Sequence, residues 1–174
     1  MSNATANTSK WYVIRSKPRQ ERRALANLEN QEITTFLPEI TITKLRRGKR
    51  TPITEALFPG YLFVQLDDYE GKFYKIRSTY GVTKMITFGD QPATIPDALI
   101  EELKQINETS DSIKKTMSEA ILQPGDQVQI NDGPFAGFIA KIIELDGDSR
   151  CIVLLDWLQK EVRASFDYNQ LRKA

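Results

Sequence analysis

Histidine is missing from all 174 residues, and cysteine occurs once, at Cys151. The first absence removes Ser-His-Asp and Cys-His catalysis and histidine-ligated zinc. The second rules out an intrachain disulfide and a thiolate metal cluster, and it fits a reducing cytoplasm. No apolar run approaches the roughly 20 residues that span a bilayer. The opening MSNATANTSK is polar and has no apolar core, so it is no signal peptide and is expected to be a flexible leader. There is no GxGxxG and no P-loop, and ELDGDSR is a short acidic turn rather than a calcium loop. No enzyme, metal or cofactor is expected.

What is present is a soluble composition, 40% hydrophobic and 27% charged, long enough for one medium domain or two small ones. The formal net charge of +1 hides an asymmetry. Residues 1–118 carry 18 Lys and Arg against 14 Asp and Glu, whereas residues 119–174 carry 6 against 9. The cations cluster as Arg15, Lys17, Arg19, Arg22 and Arg23, then as Lys44, Arg46, Arg47, Lys49 and Arg50. Local density of this kind favours phosphate contact, although a solvated surface would also account for either run.

WYVIRS (11–16) alternates and is rich in β-formers, so it predicts a first strand. Ser16 is expected to cap the next element and Pro18 to lie in its first turn. PRQERRALANLENQ places Ala24, Leu25 and Leu28 at helical spacing, with Arg19 and Arg23 four apart on one face near the helix start. TTFLPEITITKL, RRGKR and TPITEALF predict a long β-hairpin with a basic tip at Gly48. GYLFVQL has no polar residue from Tyr61 to Val64 and predicts a central strand. Leu62 and Val64 should point into the core, leaving Phe58 and Tyr61 as candidates for a partner, with ordinary core packing as the alternative. A short helix or turn is expected around 71–77, a glycine turn at Gly81 and a strand at 84–88. TIPDALIEELKQI predicts a second helix with Pro96 in its first turn and Leu99, Ile100, Leu103 and Ile106 on one face.

NETSDSIKKTMSEA (107–120) is polar and predicts a linker. Beyond it, Val128 and Ile130 alternate, and Asp132-Gly133 and Asp146-Gly147 are turn dipeptides, which together suggest a small barrel of about five strands. From Asp148 to the end there is no Gly or Pro. As a strand, Cys151, Val153, Leu155 and Trp157 alternate with Ile152, Leu154 and Leu158. As a helix, Cys151, Leu154, Leu155, Leu158 and Val162 form a stripe. A buried strand is the simpler assignment, but periodicity leaves both open.

WYVIRSKPRQERRALANLENQ, LFPGYLFVQLD, IRSTYGVTKMITFG and PGDQVQINDGPFAGF together resemble the NusG family of transcription elongation factors, over nearly the whole chain from Trp11. The resemblance implies an α+β protein. Residues 11–106 would form an α/β sandwich with an antiparallel sheet that binds RNA polymerase, and 107–120 a linker. Residues 121–174 would form a small KOW-type domain, either a β-barrel or an α-helical hairpin in an autoinhibited state. RRGKRTPITEALFPGYLFV, and Ala140 where a second barrel glycine is usual, are similar to the RfaH-type branch of operon-specific antiterminators. That branch reads the non-template DNA strand, suppresses pausing and termination, and couples transcription to the ribosomal small subunit.

Carried over by position, Lys17, Gln20, Arg23 and Thr79 would face DNA, with Lys72 and Lys75 alongside. Phe58, Tyr61 and Leu103 would meet polymerase. Glu55 and Arg150 would form an interdomain ion pair, and Phe138, Ile142, Leu154, Trp157 and Leu158 would supply the apolar face of the C-terminal unit. The protein would be a cytoplasmic monomer. Two features depart from the branch: GKFYK (71–75) lacks the histidine and threonines that contact the second polymerase pincer, and Tyr80 stands where an arginine is expected. A general NusG factor with a permanently β C-terminal domain, and a KOW-type ribosome- or RNA-binding module, remain as alternatives.

Overall fold

The computed structural model describes residues 9–106 and 135–173, with side chains followed to residue 164. Residues 1–8 of the leader, the 107–120 linker, and the strand and turn expected around Val128, Ile130 and Asp132-Gly133 lie outside the described residues, and Lys10, the leader's last residue, already belongs to the first strand.

The chain runs β1 (Lys10–Ser16), α1 (Glu21–Glu29), β2 (Thr34–Phe36), β3 (Glu39–Arg46), β4 (Lys49–Ala56) and β5 (Tyr61–Leu66). It continues through α2 (Tyr69–Arg77), β6 (Val82–Met85), β7 (Thr87–Phe88), β8 (Gln91–Pro92) and β9 (Thr94–Ile95). A helix α3 over 97–106 follows, then α4 (Ala136–Glu144) and α5 (Gly147–Lys173). The main sheet has the order β2-β5-β1-β6, with β9 also paired to β1, and its pairs are antiparallel. β5 is therefore flanked on both sides, as its unbroken apolar run predicts.

The β1–β5 register sets Val13 opposite Phe63 and Ile14 opposite Leu62. Period-2 alternation then sorts the sheet into two faces. Trp11, Val13, Tyr61 and Phe63 join one buried cluster with α3, α4 and α5. Tyr12, Ile14, Leu62, Val64 and Leu66 join another with Ala24 and Leu28 of α1 and Ile76 of α2. Leu62 and Val64 are buried as expected.

The β3–β4 hairpin forms its own two-stranded sheet, and Arg46 pairs with Lys49 across its tip. Arg47 (φ 51°) and Gly48 (φ 77°) both take positive φ, the signature of a two-residue type I′ turn.

Two N-terminal expectations need correction. Helix α1 begins at Glu21 rather than at Pro18, and Ser16 does not cap it. The Ser16 and Lys17 amides donate to the carbonyls of Gly60 and Gly81, each at 2.8 Å, so the chain stays extended past the expected start. Arg19 then lies in a turn at φ 60°, so it does not share a helical face with Arg23. The strand expected at 84–88 is split: β6 begins directly after Gly81 and ends at Met85, and Thr87–Phe88 pairs with Gln91–Pro92. Helix α3 starts just after Pro96, whose carbonyl accepts from Leu99 and Ile100. It buries Leu99, Ile100, Leu103 and Ile106 as its pattern predicts.

In the described part of the C-terminal unit both elements are helices, joined at Leu145–Asp146 into a helical hairpin. Of the two periodicities in 148–166, the helical one is the one in use, and the strand assignment is overturned for these residues. Asp146-Gly147 is a helix start, not a strand turn. The Asp146 carboxylate accepts the Ser149 amide at 2.8 Å, satisfying one otherwise unpaired donor, and its carbonyl accepts the Arg150 amide at 2.9 Å as the first bond of the helix. Phe138 and Trp157 pack ring to ring at 5.5 Å across the two helices.

Candidate functional site

The C-terminal hairpin lies on one face of the sheet. Phe58, Tyr61 and Leu103 are buried there in one cluster with Ile139, Ile142, Leu154 and Leu158, with Phe138 and Trp157 packed against its edge. Each large apolar side chain withdrawn from water contributes about 1.5–3 kcal/mol before ordering costs. Tyr61 keeps a polar contact at the rim, where Arg15 donates to its hydroxyl at 3.0 Å. Burial, partly offset by the Arg15 charge, raises its phenol pKa above the ordinary value.

At the centre of the seam stands Arg150, only 2% exposed. A guanidinium buried without partners is very costly. Here its Nε donates to the Leu145 carbonyl (3.0 Å), one terminal nitrogen donates to the carbonyls of Ala56 (3.3 Å) and Leu57 (3.1 Å), and the other donates to the Glu55 carboxylate (2.9 Å). Three of these four bonds cross to the β4 end, so Arg150 is satisfied only while the hairpin is docked. The second Glu55 oxygen lies 3.5 Å from Lys44 Nζ on β3. Burial pushes the Glu55 carboxyl upward, but the Arg150 bond and charge, with Lys44 behind them, outweigh it and hold the group below the usual carboxylate value.

The start of α5 also approaches the loop after β4 closely. A Cβ on Gly147 would sit 2.8 Å from the Pro59 ring, so glycine alone permits this distance. The Cys151 thiol donates to the Pro59 carbonyl at 3.3 Å. Burial, reinforced by Asp148, pushes its pKa up to about 11, so it is an unreactive thiol at neutral pH.

The opposite side of the sheet, under α1 and α2, carries the other predicted set. Lys17 and Arg23 are exposed and Gln20 is half-buried at the α1 N-cap. Lys72 and Lys75 lie three apart on α2, Lys75 exposed and Lys72 half-buried. Thr79 is placed differently: it is buried, its hydroxyl donates to the Lys75 carbonyl and accepts from Gln31, each at 2.8 Å. With both capacities engaged, it supports the surface rather than presenting a group to it. Sequence reasoning missed Asn27 and Gln31, whose partners Tyr80 and Thr79 lie far along the chain, and gave Tyr80, Lys44 and Gly147 other roles, as a departure from the branch, a member of a basic run and half of a turn dipeptide.

Among the described residues no group of three or more His, Cys, Asp or Glu could hold a metal, and no helix is long and apolar enough to cross a membrane. The family model for transcription termination factor NusG matches residues 9–104. The chain belongs to the NusG family. A KOW motif matches residues 124–156 of this NusG-family protein. The chain is 28% identical to the transcription termination/antitermination protein NusG of Staphylococcus carnosus, over 94% of this chain and 95% of that one. It is 25% identical to the protein of the same name from Thermus thermophilus, over 94% and 98%. Among solved structures, one described as domain interaction in Thermotoga maritima NusG superposes with a TM-score of 0.44 at 19% identity, covering 73% of this chain and 75% of that one. The mixed α/β N-terminal domain with antiparallel sheets and the KOW segment are thus those of a NusG-family transcription termination/antitermination factor, and the KOW segment's described part, 135–156, holds α4 and the start of α5.

Proposed function

We propose that this NusG-family protein is an RfaH-type antiterminator, held inactive by its own C-terminal unit until it is recruited. The observation that carries the reading is the helical hairpin, in a segment matched by a KOW motif, seated on Phe58, Tyr61 and Leu103 through a buried Arg150. In this reading residues 11–106 bind RNA polymerase through that apolar face, 107–120 is a tether, and 121–174 is the mask. Lys17, Gln20 and Arg23, with Lys72 and Lys75, contact the non-template DNA strand, and Thr79 positions them. Release of the mask frees the polymerase-binding face, and the freed unit refolds to a KOW barrel that contacts the ribosomal small subunit. The protein works as a cytoplasmic monomer. It suppresses pausing and termination at a specific set of operons.

A general NusG factor is the second reading, favoured by the names of its relatives. It requires a C-terminal unit that is β in the free protein. Circular dichroism of the full chain beside residues 121–174 separates the two. The RfaH-type reading expects helix in 136–173 of the full chain and strand signal in the isolated unit. Strand signal in both contradicts it.

A further inference from the structure

Tyr80 is among the most exposed large side chains of the described residues, at 73%, yet its backbone is held from several sides. It occupies the corner of a β-turn closed by the Val82 amide and the Thr79 carbonyl at 3.1 Å. Gly81 follows at φ 93°, which makes this a type II turn. The turn is pressed onto α1: a Cβ on Gly81 would lie 2.8 Å from the Ala24 backbone nitrogen. Asn27 of α1 donates to the Tyr80 carbonyl at 3.1 Å, and Gln31 donates to the Thr79 hydroxyl at 2.8 Å. The Lys17 amide donates to the Gly81 carbonyl, which sets Lys17 beside the turn. The Arg23 guanidinium lies over the Tyr80 ring, 5.7 Å from its centroid.

A rigid aromatic held out to solvent, with cations on its flanks, is what an unpaired nucleobase needs. The ring offers a stacking surface and the cations take the adjacent phosphates. Solvent exposure alone does not single Tyr80 out. Tyr74 is 75% exposed as well, but it stands on α2 with its ring against Phe73, and among the described residues no cation lies over it. We infer that Tyr80 is a stacking shelf for one unpaired base of single-stranded DNA, backed by Arg23 and flanked by Lys17. The inference rests on the DNA-contacting reading above and adds to it the residue and the mode of one base contact, a stack on Tyr80 in place of the arginine expected there.

The test uses the full chain and three 12-nucleotide probes: a mixed-sequence DNA strand, an abasic DNA strand of equal charge, and RNA of the mixed sequence. Binding is read by fluorescence anisotropy. The wild type should prefer the base-bearing DNA to the abasic strand. Tyr80→Ala should weaken binding to base-bearing DNA by about 5- to 150-fold, the range for one base–aromatic stack, and leave abasic binding unchanged. Tyr80→Phe should stay within about twofold, as should Tyr74→Ala, because neither removes the shelf. If Tyr80→Ala binds like wild type while Arg23→Ala is weakened on both DNA strands, the face reads phosphates only; the shelf is wrong and the wider reading survives. If neither substitution changes binding, the wider reading fails too. Tighter binding of the RNA than of the DNA overturns the assignment to DNA.

Discussion

Trp11, Val13, Tyr61 and Phe63 point to one side of the central sheet, and Tyr12, Ile14, Leu62 and Val64 to the other, so the same two strands build both faces. The first face is covered twice, by α3 and then by the C-terminal hairpin. The second is covered once, by α1 and α2, and the outer surface of those helices is cationic and open. The difference lies in how each face meets water. An apolar partner site left bare is a large unsatisfied patch, and covering it is favourable whatever covers it. A cationic site is solvated when empty and needs no cover. One sheet can therefore hold a face that is closed and a face that stays available in the same molecule.

The comparison breaks most easily at the seam. Leu158→Ala should destabilise docking by about 2–5 kcal/mol, as a truncation at a fully buried apolar site does. It should be read as loss of helical circular dichroism with 11–106 still folded. Glu55→Ser removes the charge partner of a guanidinium that is 2% exposed. Breaking a buried pair costs about 3–5 kcal/mol, reduced here because Glu55 is partly solvated and the Ala56 and Leu57 carbonyls remain. The docked fraction should fall, and tryptophan fluorescence of Trp157 should report its exposure. Gly147→Ala places a methyl against Pro59 and should weaken docking by about 1–3 kcal/mol without touching the ion pair.

Acid should act in the same direction. The docked Glu55 carboxyl is held below its ordinary value, so its contribution is present above that ordinary value and fades as pH falls through the docked value. Release monitored by Trp157 fluorescence should therefore rise on acidification, and should lose that pH dependence in Glu55→Ser. The smallest effect on docking should come from Ile152→Lys. Ile152 is 68% exposed on α5, so the helical form should change by no more than about 0.5 kcal/mol. A strand would set Ile152 on the same side as Leu154 and Leu158, so the isolated unit should suffer more.

The strands β1 and β5 were legible because alternation and an unbroken apolar run are local properties of WYVIRS and GYLFVQL. The pattern of α3 was legible for the same reason. The start of α1 was not, because the bonds that keep residues 16–17 extended come from Gly60 and Gly81, far along the chain. The state of 148–166 could not be read either. Leu154 and Leu158 serve both periodicities, and the helical one seats them in one cluster with Phe58, Tyr61 and Leu103, which lie far along the chain. Glu55 and Arg150 came from a family resemblance. Lys44 as a second cation on Glu55, and Gly147 as a close approach to Pro59, arise only once β3, β4 and α5 are brought together.

The account stands or falls on the claim that the hairpin closes one face and leaves the other open. The most direct measurement compares the full chain with residues 1–120 for binding to RNA polymerase and, separately, to single-stranded DNA. The account predicts that truncation strengthens polymerase binding by at least tenfold, about 1.4 kcal/mol, and leaves DNA binding unchanged. Equal polymerase binding by the two, or an equal gain for both ligands, would contradict it.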